Sequence, residues 1–237
     1  MTTAMAPPLE NLYRDVPIFV LSTGTSLRGF DFTRLDGRVT LGINRIVEHY
    51  QPTMLHFIDT SAKETHARAL RAYNGTIIAG PGAAPLDTHE SAYEINPHNI
   101  PPPRRVDTAE ALRNLWRRRK HVPRNFDEEL FGSGAGCTGL HLAILLGGNP
   151  IYLLGYDFYQ DNGTHFDEYD PTRNDPDVYG YSADCIAQLS REPWLPAIYN
   201  CNPRSRLTCF PFADIDTVLA ASVVAPSRQA ALVGGNR

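Results

Sequence analysis

The stretch from Gly132 to Gln160, GSGAGCTGLHLAILLGGNPIYLLGYDFYQ, constrains the fold more than any other part of the chain. Glycines and small polar residues lead into an apolar helical run from Cys137 to Leu146. Gly147-Gly148-Asn149 stops that helix, and Ile151 to Leu154 is too short and too apolar for anything but a buried strand. A strand buried on both faces belongs inside a parallel sheet with helices above and below it. In such open sheets ligands bind beyond the carboxyl ends of the strands. Beyond this strand lies Gly155-Tyr156-Asp157-Phe158-Tyr159-Gln160, which either carries site chemistry or closes a turn, with Asp157 as its cap and the tyrosines in the core.

A length of 237 residues with 42% apolar content suffices for one large α/β core. A net charge of -4 and a pI near 6.0 argue against a general nucleic-acid binder, whose surface is strongly basic. No apolar run reaches the ~18 residues of a membrane span, and MTTAMAPPLENLYRD lacks the pattern of a signal peptide. The expectation is a cytoplasmic protein with no transmembrane segment. Cys137, Cys185, Cys201 and Cys209 lack the short paired spacing of zinc ligands and read as reduced thiols.

Taken in order, residues 1–15 read as a flexible arm, 16–222 as one Rossmann-like α/β/α domain with a mostly parallel sheet, and 223–237 as a tail. Val16 to Leu21 is the first strand. The turn after it, Ser22-Thr23-Gly24-Thr25-Ser26-Leu27, is small and polar, and it either brings backbone N–H groups to a ligand or is a plain tight turn. Asp31 to Leu35 reads as a helical turn. Val39 to Ile43 is a second strand ending in Asn44, which either bonds a nucleotide or caps a helix from Arg45 to Tyr50. Met54 to Ile58 is a third, ending in Asp59, and Asp59 or Thr60 is expected to cap a helix from Ala62 to Tyr73. Thr76 to Ala79 is a fourth. Polar groups recur at the same end of successive strands, at Thr23-Gly24, Asn44, Asp59 and Asp157.

Between Gly80 and Val106 proline and glycine are too dense for regular structure. A basic helix from Asp107 to Lys120 follows, and the basic run 104–124 is either a solvated face or a contact for an anionic acceptor, a membrane surface or a second copy of the chain. Residues 161–180, DNGTHFDEYDPTRNDPDVYG, are polar and rich in turn signals, as expected of a flexible lid. Their acidic residues fail the spacing of a calcium loop, and no metal site is expected. Tyr181 to Arg191, Ala197 to Asn200 and Ala213 to Ala221 read as helix, core strand and final helix.

Several segments resemble the bacterial lipooligosaccharide sialyltransferases and, more distantly, proteins related to 6-hydroxymethylpterin diphosphokinase. They are FVLSTGTSLRGFDFTRL (19–35), GINRI (42–46), GCTGLHLAILLGGNPIYLLGYDFYQ (136–160) and IYNCNPRSRL (198–207). The resemblance implies a metal-independent glycosyltransferase without a cofactor, taking a sialic or related nonulosonic acid from a CMP-linked donor to a glycan or other hydroxyl acceptor. It implies that Ser22, Thr23, Gly24, Asn44, Ala135, Gly136, Asp157 and Tyr159 hold the donor. Thr23 stands where the family has Asn, Asp59 where it often has Asn, and Ala135-Gly136 where it has Ser-Gly. Tyr159 matches a phosphate-contacting Tyr, and His165 falls near a second. Tyr181 stands where the family places its catalytic His.

An unperturbed tyrosine, with a pKa of about 10, is a poor base near neutral pH. The catalytic set is therefore Tyr181, His165 and Asp59. Either His165 or Asp59 has become the base, or Tyr181 serves the departing phosphate as an acid, or transfer is lost. The other readings are a pterin diphosphokinase-like phosphotransferase, with Asp59 and Asp157 on Mg²⁺, and an inactive nucleotide-binding relative.

Overall fold

A computed structural model describes residues 9–80, 82–84, 92–94, 121–126, 130–132, 134–172 and 180–221. Seven strands form one sheet: β1 (Ile18–Leu21), β2 (Val39–Ile43), β3 (Met54–Phe57), β4 (Thr76–Ala79), β5 (Ala92–Glu94), β6 (Ile151–Leu154) and β7 (Ile198–Asn200). Their order is β5-β4-β3-β2-β1-β6-β7, and every pairing is parallel. From β1 the chain winds outward to β5, then returns to β1's other side with β6 and β7. The boundary between β1 and β6 is thus the switch point of the topology, where open α/β sheets place their ligands.

The helices are α1 (Ala62–Thr65), α2 (Ala67–Ala72), α3 (Gly134–Leu145), α4 (Gly180–Leu189) and α5 (Ile215–Ala221). Alternation along the strands sorts them into layers. Ile18 and Val20 of β1, Leu41 and Ile43 of β2 and Ile151 and Leu153 of β6 join Leu140, Leu142 and Ile144 of α3 and Ile186 of α4. On the other face, Phe19 and Leu21 meet Leu154 and Leu219 of α5, while Leu55 and Phe57 of β3 meet Leu70 of α2. The two-sided apolar character read from Ile151–Leu154 follows from this α/β/α layering.

α3 is buried almost all round, because its outer side is covered as well. His141 lies there fully buried. Its Nδ1 accepts the Phe131 N–H at 2.8 Å, so its Nε2 carries the proton and donates to the Pro123 carbonyl at 2.8 Å. Segments 121–126 and 130–132 are thereby strapped onto the helix. Arg124 stacks over Trp194, with its guanidinium carbon 5.4 Å from the ring centroid. The whole of the expected basic helix, 107–120, lies outside the described residues, as do 1–8 and 222–237.

Three expectations need correction. Residues 9–15 are not a loose arm: Leu9 is buried, and the N–H groups of Asn11, Tyr13 and Asp15 bond the carbonyls of Leu145, Leu146 and Gly147, which the end of α3 leaves unpaired. The segment 80–106 contains the edge strand β5, too short to register as a pattern. The expected helix 62–73 is broken at His66, whose ring Nδ1 is 2.8 Å from Glu48 Oε1, and the cap position before Ala62 is Ser61, with no side-chain cap bond, so neither Asp59 nor Thr60 caps it.

His56 of β3 is the buried polar group that joins sheet to helix. Its Nδ1 faces the Ile78 carbonyl at 2.7 Å and must donate, which leaves Nε2 to accept the Thr138 hydroxyl proton at 2.7 Å. Burial pushes its pKa down from 6.5 to about 4, with the Ile78 bond opposing. A folded pKa below the unfolded one means that the unfolded chain binds the proton first as pH falls. Stability from the neutral ring is present above pH 6.5 and is lost between 6.5 and about 4. Between pH 7 and pH 5 that amounts to about 2 kcal/mol. Urea unfolding at the two pH values should show this loss in the wild type and not in His56→Leu; an equal loss in both would place the proton elsewhere.

Candidate functional site

Beyond the carboxyl ends of the strands lies a cleft of about 240 Å³. β1 contributes Ser22, Thr23 and Gly24, β2 contributes Asn44, β3 Asp59, and β6 Gly155 to Tyr159. The first turn of α3, Gly134 to Cys137, forms another wall, and Thr164, His165 and Ser182 complete it. Ser22, Thr23, Gly24, Asn44, Asp59, Ala135, Gly136, Asp157, Tyr159 and His165 thus surround one cavity. The side chain of Tyr181 lies outside the described residues; its backbone is in the first turn of α4.

Asp157 holds this end of the sheet together. Its Oδ2 accepts the Ser26 N–H at 2.7 Å and the Thr25 hydroxyl at 3.4 Å, and its Oδ1 accepts the Ser26 hydroxyl at 2.5 Å and the Asn202 amide at 2.8 Å. The carboxylate is 2% exposed and filled by protein donors. It is therefore a clasp between the β1 turn and the loop after β7, and it also lines the cleft. Gly24 is required here because a Cβ would stand 2.5 Å from Asp157 Oδ2. Asn202 also reaches the Tyr159 hydroxyl at 3.3 Å, and Tyr156 donates to the Gly136 carbonyl at 2.8 Å, fixing the first turn of α3.

Asn44 is the strained member of the site. Its φ of 50° is left-handed, a conformation that asparagine tolerates better than most residues. The cap of the short 3-10 turn Asn44–Glu48 is Ile43, so Asn44 does not cap as sequence allowed. Its Oδ1 is buried without a hydrogen-bond partner among the described residues. An orphaned acceptor on strained backbone, facing a cleft, is the kind of cost that persists where a ligand supplies the missing donor. Phe158, also lining the cleft, has φ 60°.

The first part of the expected lid, 161–172, is tied down. Phe166 N–H bonds the Thr23 carbonyl at 3.0 Å, its ring lies 5.5 Å from Phe32 and 5.0 Å from His49, and Asp170 N–H bonds the Asn162 carbonyl at 2.7 Å. Arg45 bonds Glu168 at 2.9 Å and pairs with Asp167 at 3.3 Å. Glu48, His49 and Asp167 cluster within reach of one cation, and the Arg45 guanidinium is already among them, so they read as an ion-pair network. The second part, 173–179, lies outside the described residues.

On this loop His165 sets its Nδ1 2.9 Å from the Thr23 hydroxyl. Burial lowers its pKa below 6.5; the carboxylates of Glu168 and Asp167 oppose this and the Arg45 charge adds to it. The imidazole is thus neutral near pH 7. Asp59 is exposed; its backbone carbonyl accepts the Ala62 N–H at 3.0 Å, and its carboxylate has no hydrogen-bond partner among the described residues. Sequence reasoning placed Ser26 in the turn after β1 without its partner Asp157 and assigned no role to Arg28 or Asn202, whose partners lie far along the chain.

By sequence the chain matches no family model and no curated protein. By structure it is similar to the MAf glycosyltransferase from Magnetospirillum magneticum AMB-1, with a TM-score of 0.52 and 15% identity over 81% of this chain and 33% of that one. It thus spans about a third of that protein's length. It is also similar to the monofunctional alpha-2,3-sialyltransferase Cst-I from Campylobacter jejuni, with a TM-score of 0.50 and 15% identity over 90% of this chain and 83% of that one. At such identity the likeness is one of fold.

Removing the clasp charge should loosen this end of the sheet. Asp157→Ala removes the acceptor of the part-buried Ser26 donors and strands the buried Asn202 amide, and a stranded buried group costs about 1–3 kcal/mol. Thermal unfolding should fall by several degrees relative to an Asp59→Ala control; equal melting of the two variants would contradict the clasp.

Proposed function

We propose that the chain is a glycosyltransferase moving a sialic or related nonulosonic acid from a CMP-linked donor to a hydroxyl of a glycan acceptor. The observation that carries this reading is Asn44: a buried, unpaired acceptor oxygen at the end of β2 calls for a ligand donor such as the amino group of cytosine or a ribose hydroxyl. The first turn of α3 faces the same cleft, and N–H groups at a helix start have no partner within the helix, which suits a phosphate or sugar carboxylate. Resemblance in the segments around 42–46 and 136–160, and the shared fold, support the same assignment.

In this scheme Tyr159 donates a hydrogen bond to the departing phosphate and Tyr181 adds a second phenol. Donors aimed at developing negative charge lower the barrier most when they are fixed beforehand. His165, neutral and with its Nδ1 held by Thr23, receives the acceptor proton on Nε2. Asp59 stands by the acceptor, and no cofactor takes part. The cleft walls described here contain no second uncommitted carboxylate beside Asp59, which weighs against the phosphotransferase reading.

Two measurements check this. Incubation with CMP-, UDP- and GDP-sugars and with ATP, each with and without EDTA, should show release of CMP from CMP-sialic acid that is insensitive to EDTA. Asn44→Ala should weaken CMP binding by about tenfold, the worth of one hydrogen bond to a buried group. Release only from ATP, and only with Mg²⁺, would install the phosphotransferase instead.

The base has its own signature. Because the His165 pKa is lowered, turnover should be sustained at pH 6.5 and fall only below it, as the ring takes up its proton. His165→Gln should reduce turnover by about 10²-fold or more and remove that limb. A limb that survives in His165→Gln and vanishes in Asp59→Asn assigns the base to Asp59.

A further inference from the structure

Arg28 follows the 3-10 turn Thr25–Leu27, which the Asp157 clasp fixes through Ser26. Its Nη1 donates to the Asp161 carbonyl at 2.5 Å, and its Nη2 donates to the carbonyls of Asn162 at 2.7 Å and Glu168 at 2.6 Å. One planar guanidinium therefore joins both ends of the arc 161–168. No other side chain offers a rigid fork of donors able to satisfy several converging carbonyls, and a lysine ammonium in the same place is a compact point charge on a flexible stem. A second feature is built around the same contact. Gly163 is buried with φ 139°, and a Cβ there would stand 2.9 Å from Arg28 Nη2 and 2.8 Å from the Glu168 carbonyl oxygen. The glycine leaves the room that the guanidinium fills.

At the apex of this arc are Thr164 and His165, the two loop residues that line the cleft. We propose that Arg28 is a positioning residue of the site: by gathering the carbonyls of Asp161, Asn162 and Glu168 it sets the place of His165 against Thr23. The role of His165 as proton acceptor rests on the glycosyltransferase reading; its placement by Arg28 does not. Arg45, paired with Asp167 and Glu168, holds only the outer edge of the arc. The groups facing His165 are Glu168, Asp167 and Arg45, together with the Thr23 hydroxyl.

The test uses the full chain and reads His165 directly. The imidazole C2 proton, assigned by its disappearance in His165→Gln, is titrated by NMR in the wild type, Arg28→Lys and Gly163→Ala. The wild-type midpoint should lie below 6.5, because burial lowers it. Both variants should move it up toward 6.5, as water reaches a loosened arc. In parallel, CMP release from CMP-sialic acid should fall by about 10²-fold in Arg28→Lys, with the donor KM changed much less, as expected when a reacting group is displaced by about 1 Å. A midpoint unchanged in both variants overturns the proposal, and so does failure of both to fold, since Arg28 would then be a general stability element. If the wild type releases no CMP, the donor reading fails while the titration still decides the role of Arg28.

Discussion

The site depends on one buried carboxylate. Asp157 stands at the switch point between β1 and β6, and its hydrogen bonds reach the turn after β1 and the loop after β7. Backbone bonds to β6 and Gly155 end at Gly24 and Cys201, and beyond them Asp157 takes the donors of Ser26 and Asn202. A charged acceptor makes roughly twice as strong a hydrogen bond as a neutral one, and burial strengthens it further. What the clasp fixes is passed on: Ser26 fixes the start of Arg28, Arg28 fixes the arc 161–168, and the arc returns His165 to Thr23, two residues beyond β1. The circuit closes on the strand where it began.

This circuit also explains what sequence could and could not reveal. β2, β4 and β6 were legible to the residue, because a strand buried on both faces reads as a short, mostly apolar run free of charged residues. The residues at the carboxyl ends were legible for the same reason: once a strand's end is known, Asn44 and Asp59 follow from it. β5 was not, since Ala92-Tyr93-Glu94 carries no pattern and is a strand only because β4 offers an edge. Nor were the Asp157 clasp and the Arg28 contacts with the arc 161–168, whose members lie 45 to 140 residues apart. Asp157 was noticed with both a site role and a turn role open, because position at a strand end says that a carboxylate is near the cleft but not which donors reach it first.

The loop 161–172 shows a related limit. Its composition, polar and full of turn residues, is that of a lid, and composition measures how little apolar area a segment can bury. It does not count backbone carbonyls. Here Arg28 satisfies carbonyls that a helix or strand would have paired, Gly163 permits the close approach, and Phe166 supplies an apolar anchor beside Phe32 and Tyr50. Order in this loop comes from two arginines, Arg28 within the arc and Arg45 at its edge, and from one ring, in place of secondary structure.

The cleft itself is lined by no lysine or arginine among the described residues; Arg28, Arg45 and Arg204 stand behind the wall and are engaged with the loop or with Tyr159. Favourable potential for an anion must then come from dipoles: the N–H groups at the start of α3, the turn after β1 and the tyrosine hydroxyls. Dipoles fixed in a partly enclosed space act on charge as it develops and need not reorganise, whereas a mobile lysine would hold a bound phosphate as firmly before reaction as after it. Under the proposed reading the glycines of α3 and the clasped turn are thus the electrostatic part of the machinery. The arginines behind them serve geometry, which is why a substitution at Arg28 is felt through His165 and not through a lost charge in the cleft.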